Sequence, residues 1–99
     1  MAEVPLPPVE EGLLNAAGVR ALLDDVEACT TLLEVRLKGA RQERAGTADL
    51  AAARQALLLG QARGVQLRYR HDGGTWCDTL LATPAGWRVI RICQDPEER

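Results

Sequence analysis

The sequence is poor in aromatic residues and in long hydrophobic runs. It has no phenylalanine, and its only aromatic side chains are Tyr69, Trp76 and Trp87. A hydrophobic core must therefore consist mainly of aliphatic residues, which fits a hydrophobic content of 46% in 99 residues. A chain of this length is typical of one domain. No run of about 18 apolar residues occurs, so we predict no transmembrane helix.

Cysteine and lysine are also scarce. The number of cysteines is odd, and no CxxC pair occurs among Cys29, Cys77 and Cys93. The segment MAEVPLPPVEEG lacks the basic and apolar regions of a signal peptide. We therefore predict reduced thiols and a cytoplasmic protein. Lys38 is the one lysine against eleven arginines, a skew typical of GC-rich bacterial genomes.

Two segments have helical periodicity. Residues 15–29 carry an apolar stripe that begins after Asn15, a good N-cap residue. Residues 47–63 are the second predicted helix, with Thr47 at its start as a possible cap. Gly64 is placed to end it. Residues 39–46, with Arg41 and Arg44, predict a basic loop between the segment at 31–38 and the second helix.

Residues 31–38 fit two structures. Leu33, Val35 and Leu37 alternate with charged residues, which is typical of a half-buried strand, but the same residues also continue the stripe of the first helix. The β-branched threonines and the period of two favour a strand. We expect it at an edge of a sheet.

The segment from Val65 to Cys93 alternates apolar and polar residues and is broken at DGG and at TPAG. This pattern predicts three antiparallel strands joined by two tight turns. The predicted fold class is α+β: two helices packed on one face of a small, mainly antiparallel sheet, in the order α-β-α-β-β-β. We predict that residues 1–12 form an extended proline-rich arm, residues 13–95 the single domain and residues 96–99 a frayed tail.

The register of the two hairpins decides which side chains share a face. Centring the second turn on Pro84 and Ala85 places Asp78 opposite Arg91, Leu80 opposite Val89 and Ala82 opposite Trp87. A three-residue loop at 72–74 then sets Arg68 opposite Asp78. A two-residue turn at Asp72 and Gly73 would bury Asp78 beside Leu67 without a partner, at a cost of a few kcal/mol, and we therefore favour the three-residue loop.

This register predicts a core face and a second, outer face. The core face carries Cys77 with the aliphatic residues beside it. The outer face combines tryptophan, arginine and aliphatic side chains, the composition of a protein interface. Its predicted members are Arg68, Arg70, Trp76, Asp78, Leu80, Trp87, Val89 and Arg91.

Reactive or ligand-binding patterns are weak. His71, Cys77 and Asp78 resemble a nucleophile with its base, but Cys77 is predicted to point away from Asp78. His71, Asp72, Cys77 and Cys93 do not have the ligand spacing of a structural zinc site, and no glycine-rich phosphate loop occurs. We therefore predict no catalytic residue, no metal and no cofactor.

The sequence favours a small, non-catalytic interaction module that forms a homodimer through the outer face of its sheet, with another protein as a possible partner. The alternative is single-stranded nucleic-acid binding on the same arginine and tryptophan residues, although a pI near 5.3 argues against it. A third arrangement, in which the N-terminal arm with Val4, Leu6 and Val9 covers the outer face, remains open.

Overall fold

The computed structural model describes residues 9–39 and 49–95. These residues form a five-stranded antiparallel sheet and two helices, which confirms the predicted α+β fold class. The elements in chain order are β1 (Val9–Leu14), α1 (Ala16–Cys29), β2 (Thr31–Lys38), α2 (Leu50–Leu58), β3 (Gly64–His71), β4 (Gly74–Thr83) and β5 (Gly86–Asp95). The order of strands across the sheet is β1-β5-β4-β3-β2.

Helix α1 confirms the prediction for residues 15–29. The side chain of Asn15 accepts a hydrogen bond from the backbone N–H of Gly18 at 2.8 Å, as an N-cap does. Val19, Leu23 and Val26 recur at helical spacing and are buried. The helix ends at Cys29, and the Thr30 hydroxyl donates to the carbonyl oxygen of Val26 at 2.6 Å.

Helix α2 is shorter than predicted. Asp49 caps it by accepting from the N–H of Ala52 at 2.7 Å, and Leu50, Ala53 and Leu57 face the core. The helix stops at Leu58 rather than near Gly64, because Gly60 takes a positive φ of 76° that breaks the helical path. Thr47, the predicted cap, and the arginines of the predicted basic loop lie outside the described residues.

Strand β2 confirms the strand prediction at residues 31–38 and its position at an edge of the sheet. It pairs antiparallel with β3, with Val35 opposite Leu67 and Leu37 opposite Val65. A bulge between Leu32 and Glu34 interrupts the ladder. The bulge and the charged residues of β2 are features that discourage edge-to-edge pairing.

Strand β1 was not predicted as a strand. Its residues 9–12 belong to the segment that we predicted as an extended arm, and they pair antiparallel with β5. Strand β4 pairs with only one edge of β5. The backbone N–H and C=O groups on the other edge of β5 need hydrogen-bonding partners, and residues 9–14 supply them. The rest of the predicted arm, with Val4 and Leu6, and the predicted tail at 96–99 lie outside the described residues.

Both helices cover the same side of the sheet, here called the inner face, and the opposite side is the outer face. Buried residues of α1 and α2 form one cluster with Val35, Val65, Leu67, Tyr69 and Leu80. Half-buried residues around this cluster include Leu14, Trp76, Trp87 and Val89. Within residues 9–39 and 49–95, neither helix is long and apolar enough to cross a membrane.

The close approach of β3 to β4 yields a first prediction. A Cβ atom at Gly64 would lie 2.7 Å from the carbonyl oxygen of Leu80, which is backbone and cannot rotate away. We expect Gly64→Ala to lower the free energy of unfolding by about 1–3 kcal/mol, as overpacking does. Urea unfolding followed by circular dichroism measures the change.

The matched control is Gly12→Ala, also in a strand, where the new Cβ would meet only a Val89 methyl group at 3.8 Å. This variant should stay within about 0.5 kcal/mol of the parent, since removing a glycine also restricts the unfolded chain. Equal losses in both variants would contradict the packing argument.

Candidate functional site

The turn between β3 and β4 has two residues, not three. Asp72 and Gly73 both have positive φ, 52° and 81°, and His71 pairs directly with Gly74. This is the geometry of a type I′ turn, for which Asp-Gly is a preferred sequence. The three-residue loop that we predicted is therefore wrong, and Asp78 pairs with Leu67 rather than with Arg68.

The change of register places Asp78 on the inner face, where it is fully buried. It is nevertheless paired. Arg91 donates from Nε to Oδ1 at 2.9 Å and from Nη2 to Oδ2 at 2.8 Å, and Tyr69 donates its hydroxyl to Oδ1 at 2.9 Å. The predicted cost of burial assumed a carboxylate without partners, and these three hydrogen bonds remove that assumption.

Tyr69 is the neutral member of this buried cluster. Burial raises the pKa of its phenol above the ordinary range, and the neighbouring Asp78 carboxylate raises it further. The hydroxyl therefore stays protonated and acts as a donor to Asp78 throughout the neutral range. Arg91 is the exposed member, since about a third of its side chain meets solvent, and its contacts are not limited to the Asp78 pair.

The structure separates the eight predicted interface residues onto the two faces. The register at β4 and β5 confirms the predicted pairs of the second hairpin, such as Asp78 with Arg91 and Leu80 with Val89. The first hairpin differs from the prediction by one residue, so the side chains of β4 and β5 lie on the opposite face from the predicted one relative to those of β3. The inner face holds Trp76, Asp78, Leu80, Trp87, Val89 and Arg91, whereas Arg68 and Arg70 lie on the outer face.

The predicted exposure of the inner-face set is therefore wrong. Leu80 has no exposed surface, and Trp76 and Trp87 are half-buried against the core under the helices. Cys77, which we predicted to point into the core, lies on the outer face opposite Arg68. A mixture of tryptophan and aliphatic residues has the same composition whether a helix or a second chain covers it, so composition alone did not decide the side.

The actual outer face has an aliphatic half and a charged half. The aliphatic half lies on β1, β5 and β4, where Ile90 and Leu81 are half-buried and Leu13 and Ile92 are exposed by 57% and 38%. Thr79 and Cys77 continue it towards β3. No helix of the described residues packs on this side, because the buried residues of both helices belong to the inner cluster.

The charged half of the outer face lies on β3 and β2. Glu34 accepts from Nε of Arg36 at 2.6 Å and from Nη1 of Arg68 at 2.9 Å. These hydrogen bonds, first from Arg36 and then from Arg68, lower the pKa of the Glu34 carboxyl below its ordinary value. Two arginines of this half are thus already paired with a carboxylate, and Gln66 contacts the Thr79 hydroxyl at 3.4 Å.

The inner face also borders a groove. It has a volume of about 660 Å3 and lies between α1 and the sheet, beside the Asp78–Arg91–Tyr69 cluster. One wall is the apolar side of α1, and the other carries Tyr69, His71 and Arg91. Sequence reasoning did not find this groove, because it depends on the distance between a helix and the strands it covers.

Reactive groups do not converge in the described structure. The thiol of Cys77 is buried, and burial raises its pKa, which disfavours the thiolate. His71 lies on the inner face with its Nε2 atom 3.5 Å from Asp72. Among the described residues, no group of three or more histidine, cysteine or acidic side chains could hold a metal ion.

No family model, no curated protein and no solved structure matches the chain.

The Asp78 cluster predicts unequal effects for two arginines of the same strand. Arg91→Ala leaves a fully buried carboxylate without its main partner, and we expect the free energy of unfolding to fall by about 3–5 kcal/mol. Arg88→Ala breaks a pair with Glu11 in which both side chains are about half exposed, and we expect a loss of about 0.5 kcal/mol. Urea unfolding of the two variants under the same conditions compares them, and equal losses would contradict the role of Asp78.

The Glu34 cluster predicts a dependence on pH. Because the pKa of Glu34 is lowered in the folded protein from a reference of 4.5, its contribution to stability is present above that value and is lost as pH falls through the folded pKa. A carbon-detected NMR titration should give a Glu34 midpoint below 4.5, and Arg36→Ala should move it upward. A Glu34 midpoint that does not change in Arg36→Ala would argue against the pair.

Proposed function

We propose that this protein is a small, non-catalytic interaction module that pairs with a second copy of itself through the aliphatic half of its outer face. The observation that carries the proposal is that both helices cover one side of a five-stranded sheet. The other side presents Leu13, Leu81, Ile90 and Ile92 with no described element over them. Uncovered aliphatic patches of this kind are typical of interaction surfaces.

The division of the outer face favours a second copy as the partner. In a two-fold pair the same patch meets itself, so aliphatic residues near the axis would contact their own equivalents. An axis close to Ile90 would bring the two aliphatic halves together and leave the Glu34 cluster of each copy at the rim. A polar rim around an apolar centre is the usual arrangement of a stable interface.

The dimensions of the sheet are compatible with such a pair. Five strands about 4.8 Å apart span roughly 19 Å between the outer strands, and ten residues of strand extend about 33 Å. The whole outer face, aliphatic half and charged rim together, is thus at most on the order of 600 Å2 in flat area, so an interface near the roughly 800 Å2 of accessible surface per partner would need both parts. Two such sheets would pack about 10 Å apart.

The structure removes the main argument for the alternative function, the binding of single-stranded nucleic acid. It depended on tryptophan and arginine exposed together, but Trp76 and Trp87 lie under the helices. On the outer face, Arg36 and Arg68 are paired with Glu34. We therefore place association between proteins first.

The three unpaired thiols support a reducing compartment, and we extend the proposal to a bacterial cytoplasmic protein.

The test is the molar mass in solution, measured by light scattering behind a sizing column at low micromolar concentration. We expect the parent to be a dimer and Ile90→Lys to be a folded monomer, because the variant places two like charges at the proposed axis. Lysine is chosen because the cross-strand neighbour of Ile90 is Glu11, which accommodates it in the monomer.

The matched control is Leu59→Lys, which introduces the same charge at a leucine that is 61% exposed at the end of α2, away from the outer face. It should remain a dimer. A monomeric parent would overturn self-association. A parent dimer that survives Ile90→Lys would overturn the assignment of the interface to this face.

A further inference from the structure

Strand β1 is an outer strand of the sheet, and the strand order places it beside β5 only. Within residues 9–39 and 49–95, no strand pairs with the N–H and C=O groups on the other edge of β1. Such an edge is a template for a further strand. It lies in the plane of the sheet and on neither face, so what it binds does not depend on the proposed function.

The two outer strands differ in how they are protected against pairing. Edge strands are usually blocked by bulges, lysine or proline. Strand β2 has a bulge between Leu32 and Glu34 and ends in Lys38. Strand β1, with the sequence VEEGLL, has neither lysine nor proline, and its register with β5 runs without a shift from Val9 to Leu14. The free edge of β1 is therefore the regular one.

Symmetry limits the ways in which a second copy of β1 can pair with this edge. A two-fold axis that relates two identical antiparallel strands passes through a residue that lies opposite its own copy. In β1, an axis at Glu11 pairs residues 9–13 of the two copies, and an axis at Gly12 pairs residues 10–14. An axis at any other residue of the strand gives a shorter ladder, so these two registers are the candidates.

Charge decides between the two registers. An axis at Glu11 would place two glutamates directly opposite each other, which is destabilising. An axis at Gly12 places Glu11 opposite Leu13 of the second copy and sets glycine against glycine. Leu13 is 57% exposed, so this contact also removes aliphatic surface from water.

Two features around Gly12 support the same register. Gly12 has no positive φ, and a Cβ atom there would meet only a Val89 methyl group at 3.8 Å, so the fold of one chain does not require glycine. Glycine within a strand often marks the close approach of another backbone. A shallow concavity of about 350 Å3 lies beside it, where Leu13 of the second copy would pack, and is lined by Glu11, Gly12, Leu13 and Arg88.

We infer that β1 pairs antiparallel with β1 of a second copy about a two-fold axis at Gly12, which joins two sheets edge to edge. Backbone hydrogen bonds supply the affinity in this mode of association. Two short strands bury a small area, and interfaces below about 1,200 Å2 are typically weak. We therefore expect a Kd on the order of 1 mM, so the edge stays unpaired at the low micromolar concentrations at which the outer face is tested.

The experiment starts from Ile90→Lys, because this variant lacks the outer-face contact and any association that remains belongs to another surface. Its molar mass is measured by sedimentation equilibrium from about 20 μM to about 2 mM. We expect a monomer at the low end and a growing fraction of dimer toward the high end. Amide spectra over the same range should show shifts concentrated at residues 11–14.

Charges placed at the axis test the register. Gly12 is exposed and has room for a side chain, so Gly12→Glu and Gly12→Lys should both fold when added to Ile90→Lys. Each places two like charges opposite each other in a pair of identical copies, and we expect the Kd to rise about fivefold. An equimolar mixture of the two variants places unlike charges there and should associate at least as tightly as Ile90→Lys alone.

The matched controls are Ala51→Glu and Ala51→Lys in the same chain, since Ala51 is exposed on α2. Each control and their mixture should associate as Ile90→Lys does. A chain that stays monomeric up to about 2 mM would overturn the second copy as the occupant of this edge. Weakening in both Gly12 variants without recovery in the mixture would overturn the axis at Gly12. Equal Kd values in all the variants would assign the association to a different surface.

These outcomes are separate from those of the proposed function. If the parent is a monomer at low micromolar concentration, association through the outer face fails, and the same dilution series on the parent still tests the edge. If a dimer survives in Ile90→Lys at low micromolar concentration, the Gly12 variants show whether the β1 edge holds it together.

Discussion

The Asp78 carboxylate is the group on which the arrangement of the sheet depends. It has no exposed surface and is held by Arg91 from β5 and Tyr69 from β3 while it belongs to β4 itself. Side chains alternate between the faces of a strand, so a shift of one residue between β3 and β4 would move Asp78 to the other face relative to Tyr69. The buried charge would lose the hydroxyl that satisfies it, and such a loss is costly in a dry environment.

A buried pair of this kind does more for specificity than for stability. Taking the Asp78 carboxylate fully out of water, and Arg91 partly so, offsets much of their attraction, so the pair itself adds little net free energy. Its effect is to penalise the alternatives, because other registers leave a buried carboxylate with fewer partners. The two-residue turn at Asp72 and Gly73 selects the same register through backbone geometry. Local turn preference and long-range pairing thus agree, which is typical of a sequence that folds to one structure.

The parts of the fold that sequence predicts are those with local causes. The cap at Asn15, the alternation at residues 31–38 and the turn at Pro84 each act within a few residues, and the structure has all three. The register of the first hairpin instead required comparing two effects. Turn preference favoured the two-residue form, and the cost of burying Asp78 opposed it. The error was to count that cost in full, although the second hairpin already placed Arg91 opposite Asp78.

The candidate site was less predictable than the fold, for a physical reason. Trp76, Trp87 and Val89 have the composition of an interface, but a core under two helices has that composition too. The register decides which side chains the helices cover. The wrong prediction for the turn between β3 and β4 therefore exchanged the two faces of β4 and β5. Strand β1 was missed because its pairing depends on the open edge of β5, which is more than 70 residues away along the chain.

Strand β5 contributes to both the groove and the outer face, since Arg91 lines the groove while Ile90 and Ile92 face outward. Adjacency in sequence does not imply that the two surfaces are coupled. Coupling requires an element with two arrangements that both sites bias. Between β1 and β4, β5 is held by antiparallel ladders on both sides, and the Asp78 cluster disfavours any change of register. We therefore expect a partner on the outer face to leave the Asp78 cluster and the groove beside α1 unchanged, with the sheet as a rigid wall between the two faces.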